Sequence, residues 1–129
     1  MLLAESGGET VLYTGDFRSG GRKSYTFLCK ELPQHINTLI CEGTTLSRTP
    51  TKSQTEQELE EDAVKLFRAY TGPVFVLQSS MNIDRVVTMY RAAKRSDRIF
   101  LEDLYLAEIT NAIGGSIPNP LGFTDVNVF

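Results

Sequence analysis

Two acidic residues, Asp16 and Glu42, each follow a short apolar run and stand in a loop of small residues. The runs, residues 10–14 and 37–41, have the β-branched and aliphatic content that is typical of strands. Two acids at the ends of neighbouring strands are able to bind a metal ion or to act as general acid and base. For each acid taken alone, turn statistics favour the alternative of a turn residue at Asp16 and an exposed loop acid at Glu42.

A second group of polar side chains precedes a predicted helix in the second half of the chain. It follows residues 74–77, which are a continuous apolar run. The N–H groups and the dipole at a helix N-terminus attract phosphate, which predicts binding of a nucleic-acid backbone without reading of the bases. The candidate side chains are Gln78, Ser79, Ser80, Asn82 and Arg85. Simple N-capping by Asn82 or Ser80 is the alternative for this loop.

The elements that position the two acids are predicted in residues 1–50. Gly7 and Gly8 separate two apolar runs, and paired glycines favour the positive φ angles of a tight hairpin turn. Residues 37–41 predict a buried strand that leads directly into Glu42. We therefore expect Asp16 and Glu42 at the carboxyl ends of two strands.

Helices are predicted to alternate with strands in residues 51–129. A capping-box pattern at Thr55 and Glu58 begins a helix with an apolar stripe at helical spacing. The stripe consists of Leu59, Ala63, Leu66, Phe67 and Tyr70. Residues 74–77 predict a strand buried on both faces, followed by a helix from Asn82, a strand at 98–101 and a helix at 104–113. This order indicates a parallel sheet with right-handed crossovers, and no element is predicted in the tail.

Three stretches resemble, in this order, consecutive motifs of the β-CASP nucleases of the metallo-β-lactamase superfamily. They are YTGDFR at residues 13–18, LICEGTT at residues 39–45, and VFVLQSSMNIDR at residues 74–85. That family includes bacterial ribonuclease J and the endonuclease subunit of the messenger-RNA cleavage and polyadenylation machinery. The similarity covers roughly residues 1 to 105, and three motifs in register are more specific than any one of them.

The resemblance implies an α/β fold in two parts. Residues 1–50 would be a partial metallo-β-lactamase-like region, with a hairpin and a strand from its sheet. Residues 51–129 would be a partial β-CASP-like region, with the β-α-β-α order of a Rossmann-like parallel sheet.

The resemblance also implies roles for the candidate residues. Asp16 occupies the position of the aspartate that bridges two zinc ions in the family, and Glu42 that of an acid that holds the catalytic histidine network in place. The strand, loop and helix at residues 74–85 match a region that helps to bind the nucleic-acid backbone. The implied function is that of a zinc-dependent phosphodiesterase that processes RNA, with DNA as the alternative substrate.

The family's histidine motifs are missing from the chain. HxHxDH is absent, and His35, which we interpret as a surface residue, is the only histidine. Because one aspartate cannot hold two zinc ions, we expect a fragment that spans the junction of two domains and is inactive alone. The alternatives from other functional classes are a non-catalytic α/β module that binds phosphate or nucleotide, and a structural domain without a ligand.

Charge, cysteine content and hydropathy limit which partners and which cellular compartment are expected for the chain. The net charge is −3 and the isoelectric point is about 5.1, so any contact with nucleic acid must be local. Basic residues in or beside the loops are Arg18, Arg22, Lys23, Arg48, Lys52 and Arg85, for which scattered solvated charges are the commoner explanation. Cys29 and Cys41 lie in apolar stretches and predict buried free thiols. With no apolar run long enough to span a membrane, the sequence predicts a cytoplasmic protein, or a nuclear one in a eukaryote.

Overall fold

The computed structural model describes residues 1–15, 21–22, 29–43 and 54–129. These residues belong to two compact units, Met1–Ser53 and Gln54–Phe129. Asp16 lies outside the described residues, and so do the basic residues Arg18, Lys23, Arg48 and Lys52.

The first unit contains a three-stranded sheet with the order β1-β2-β3. Strands β1 (Leu2–Ser6) and β2 (Glu9–Tyr13) form the predicted antiparallel hairpin, with Ser6 opposite Glu9. Gly7 and Gly8 have φ angles of 58° and 83°, which explains why glycines form this two-residue turn. Strand β3 (Thr38–Ile40) runs parallel to β2, and residues 29–31 are helical.

The predicted burial of β3 is wrong. All three of its residues are exposed, because in the described part of the unit β3 pairs with β2 alone and lies at the edge of the sheet. Cys41, directly after β3, is a free and exposed thiol, and so is Cys29 in the helical residues. The prediction of buried cysteines is therefore also wrong.

The second unit contains three helices and two strands among its described residues. They are α1 (Glu56–Ala69), α2 (Ile83–Lys94), β4 (Phe100–Glu102), α3 (Leu104–Ile113) and β5 (Val126–Val128). The predicted capping box begins α1, since Glu58 N donates to Thr55 Oγ1 at 3.2 Å and Thr55 N donates to a Glu58 carboxylate oxygen at 2.8 Å. Gly114, with a φ of 61°, ends α3 as predicted.

The two longest helices pack face to face around an apolar core. Its buried members are Val64, Phe67, Met89, Ala92 and Ala93, with Leu59, Ala63, Val74 and Phe100 partly buried against them. The predicted stripe of α1 is therefore partly wrong, because Leu66 and Tyr70 are exposed. Glu56 and Glu60 lie in the buried face instead, where Arg85 of α2 and Arg95 at its C-cap form ion pairs with them.

The parallel sheet of the second unit differs from the prediction in two strands: the predicted first strand is absent, and the tail contributes an unpredicted one. Residues 74–77 form no strand and pair with no main-chain group of the described residues. The predicted burial is also wrong, since Phe75 is 92% exposed. An apolar run becomes a strand only where a neighbouring strand bonds its main chain. The tail contributes the strand that sequence analysis missed, since β5 pairs in parallel with β4. The α/β class is confirmed.

In the described ranges, no helix is both long enough and apolar enough to cross a membrane.

Candidate functional site

Strands β2 and β3 end together at one edge of the first sheet. Tyr13 stands opposite Ile40 in the parallel register, and Thr14 N donates to Ile40 O at 2.9 Å. Asn37 fixes the start of β3 on β2, because its side-chain oxygen accepts from Thr10 N at 2.9 Å and its own N–H donates to Thr10 O at 3.1 Å. The chain segments that follow β2 and β3 therefore leave the sheet at the same edge.

The two predicted acids follow the two strand ends closely in the sequence. Gly15 has a φ of 58°, which favours glycine, and Asp16 is the next residue. Glu42 follows Cys41 after the end of β3 and is half-buried. A half-buried carboxylate there is suited to accept a hydrogen bond from an imidazole or to join other donors around a metal ion.

The donors for a zinc centre are incomplete in the described part of the chain. No three His, Cys, Asp or Glu side chains cluster there as a metal site would require. His35 is exposed, as predicted. Zinc sites use four ligands, or three and a water molecule, so these residues alone do not fit a zinc ion.

The polar loop before α2 is organised by Asn82. Its side-chain oxygen accepts from Arg85 N at 3.3 Å, which confirms Asn82 as the N-cap. Its main-chain N–H donates to Ser79 O at 3.1 Å, which closes a turn. The Ser79 side chain is exposed and Ser80 is half-buried, while Gln78 Oε1 is buried without a hydrogen-bond partner. Phosphate binding by this loop stays a prediction.

Arg85 is held by an acid on the neighbouring helix. Its Nε and Nη2 donate to both carboxylate oxygens of Glu56 at 3.0–3.2 Å, and Thr88 Oγ1 donates to the same carboxylate at 2.7 Å. Glu56 is 6% exposed. The charge of Arg85 is therefore balanced by a buried carboxylate, and its predicted contact with substrate would have to share the guanidinium with Glu56.

Glu102 is a buried acid that sequence analysis did not single out. It is the last residue of β4 and is 0% exposed, and Thr110 Oγ1 lies 2.9 Å from its Oε2. Burial raises the pKa of Glu102 above its usual value, the hydrogen bond from Thr110 opposes this rise, and the charge of Asp103 adds to it. The available signal was its position at a strand end before the helix N-cap Asp103, where α/β folds place polar groups.

Comparison with known proteins identifies no relative of this chain. No protein-family model, curated protein or solved structure matches the chain. The resemblance to β-CASP nucleases therefore rests on the three motifs, and the roles that it implies for Asp16, Glu42 and the loop at 78–85 stay predictions.

Proposed function

We propose that this chain carries part of the active site of a zinc-dependent, RNA-processing phosphodiesterase of the β-CASP type. Asp16 would be a metal ligand, and Glu42 would orient a metal-binding histidine. The observation that supports this proposal most is the parallel pairing of β2 and β3, in which Tyr13 lies opposite Ile40. The two strands end at one edge of a sheet, and each acid follows a strand end by two or three residues in the sequence, so a shared site could form there.

The proposed division of labour follows from the chemistry of each group. A carboxylate such as Asp16 is a suitable zinc ligand, whereas Glu42 would accept a hydrogen bond from an imidazole and so fix its tautomer. The only histidine of the chain is exposed. The remaining ligands would have to come from other residues than those of this chain, so the proposal includes that the chain alone does not hydrolyse RNA.

The second unit would bind the nucleic-acid backbone through the loop at 78–82. In this proposal the second unit is part of a Rossmann-like layer, and the residues that precede the loop are held near the start of β4. Two contacts support that position. Arg98, which precedes β4, donates to the carbonyl oxygens of Phe67 and Gly72 at 2.9 Å each and also to that of Tyr70. Val74 and Phe100 pack against the same apolar core.

Zinc affinity and RNA cleavage test the proposed metal role. The chain would be stripped with a chelator and titrated with zinc at equilibrium, in the wild type, Asp16→Ala and the control Glu5→Ala, which removes an exposed acid from β1. We expect weak binding by the wild type, weaker binding by Asp16→Ala and unchanged binding by Glu5→Ala, because Asp16 supplies one ligand of an incomplete set. None of the three should cleave a labelled RNA.

Two results would contradict the proposal. Equal zinc affinities of Asp16→Ala and the wild type would remove the role of Asp16. Stoichiometric zinc together with RNA hydrolysis by the isolated chain would show that the site is complete, against the expectation of missing ligands.

A further inference from the structure

The side chain of Glu102, the last residue of β4, is buried and contacts Thr110 of α3. Its residue is 0% exposed, and its Oε1 is buried without a hydrogen-bond partner. In the part of the chain that the structure describes, no basic side chain forms an ion pair with it. An ionised carboxylate in this position would lose its hydration without gaining a cation, which is strongly unfavourable.

The hydroxyl of Thr110 is the one hydrogen-bond partner that the described residues give the carboxyl group of Glu102. Thr110 Oγ1 lies 2.9 Å from Glu102 Oε2 and 3.1 Å from Ala107 O, and its single hydrogen can be donated to only one of them. If Glu102 carries a proton on Oε2, it donates to Thr110, and Thr110 donates to Ala107 O. Every polar hydrogen is then used. In the ionised form, Thr110 can donate its hydrogen to Oε2, while Oε1 remains buried without a donor.

We propose that Glu102 is a pH-sensitive switch, whose protonated form holds α3 and β5 against β4 and whose ionisation loosens both contacts. The proposal goes beyond the proposed function, because it uses none of the residues assigned to metal or RNA. Main-chain contacts connect Glu102 to the rest of this region. Phe129 N donates to Glu102 O at 3.1 Å, and Phe100 N donates to Asp125 O at 3.2 Å.

The charged groups on the elements around β4 do not stabilise an ionised Glu102. Asp103, at the start of α3, repels it and helps to raise its pKa. Glu108 of α3 is exposed, and β5 has no titratable residue. From α2, Lys94 and Tyr90 both contact Asp125 at 3.0 Å, so their polar groups are already engaged.

The direction of the pH effect follows from the raised pKa. The usual value of 4.5 applies to the unfolded chain, and the folded chain holds its proton to higher pH. The contribution of Glu102 to stability is therefore complete below the unfolded pKa and is lost as the pH rises through the folded pKa. Between the two values, the opening equilibrium of this region shifts by up to about tenfold per pH unit.

Amide hydrogen exchange of the whole chain, corrected for its intrinsic pH dependence, tests the switch. The protection of the Phe100 and Phe129 amides would be followed from pH 4.5 to 8 in the wild type, Glu102→Gln and the control Glu108→Gln. We expect protection to fall with pH in the wild type and in Glu108→Gln by up to about tenfold per pH unit over part of the range. In Glu102→Gln protection should stay constant, because the amide does not ionise. An equal fall in Glu102→Gln, or no fall in the wild type, would overturn the proposal.

A second measurement on the wild type covers the case in which Glu102→Gln does not fold. Carboxyl carbon NMR would give the titration midpoints of Glu102 and Glu108 in the same sample. The switch requires a clearly higher midpoint for Glu102. Coincident midpoints would overturn it.

Discussion

The second unit buries acidic side chains in two regions, which differ in the hydrogen-bond partners that they give to the carboxyl groups. At the interface of α1 and α2, Glu56 accepts from Arg85, and Glu60 contacts Arg91 at 3.2 Å and Arg95 at 2.8 Å. At the end of β4, Glu102 is fully buried, and the hydroxyl of Thr110 is the one hydrogen-bond partner of its carboxyl group among the described residues. An arginine fork lets a carboxylate remain charged in the interior, whereas a neutral partner favours retention of the proton.

The difference has a structural consequence. Glu56 and Glu60 are one helical turn apart, and so are Arg91 and Arg95, so the ion pairs fix how α1 and α2 meet along their length. In our proposal Glu102 holds α3 through its hydrogen bond with Thr110, which changes with pH. We infer that the helix pair is the constant part of this unit and that the region from β4 to β5 is its responsive part.

Of the substitutions that test this comparison, Arg85→Met should lower the free energy of unfolding most. It leaves the buried Glu56 without its fork of donors, which resembles the situation of Glu102, and removing one partner of such a pair costs about 3 kcal/mol or more. The free energy of unfolding from urea titration measures this loss. The control Lys65→Met removes an exposed pair with Asp62 and should change far less. Equal changes in the two variants would mean that burial of Glu56 does not depend on Arg85.

Arg91→Met should have a smaller effect. Glu60 keeps its contact with Arg95, and the Arg91 side chain is half-exposed, so we expect a loss of about 1 kcal/mol in the same titration. A loss as large as that of Arg85→Met would contradict the view that two arginines share Glu60. In that case the ion pairs of Arg85, Arg91 and Arg95 would each act separately.

Features that depend on neighbours in the sequence were predictable. The turn at Gly7 and Gly8, the capping box at Thr55 and the cap at Asn82 each involve residues at most three positions apart. Their chemistry is readable from the residue types because the interacting groups are close in the chain.

Features that depend on distant partners were not predictable. Glu56 meets Arg85 across 29 positions, and hydropathy alone placed Leu66 in the core instead. Residues 74–77 have the composition of a strand, but a strand also needs a main-chain partner, and β4 pairs with β5 from the tail. At the candidate site, the sequence predicted that each acid follows the carboxyl end of a strand. Only the structure shows that these strands, β2 and β3, pair in parallel.

RNA binding by the 129-residue chain tests most directly whether it belongs to an RNA-processing protein. A labelled RNA, and a DNA of the same sequence, would be titrated at several salt concentrations with the wild type, Ser79→Glu and the control Ser116→Glu, both at exposed serines. The account predicts RNA binding that weakens with salt, and a dissociation constant raised about tenfold in Ser79→Glu, because a carboxylate there repels phosphate. Ser116→Glu should bind like the wild type. No binding of RNA, or equal affinities for the two variants, would contradict the account.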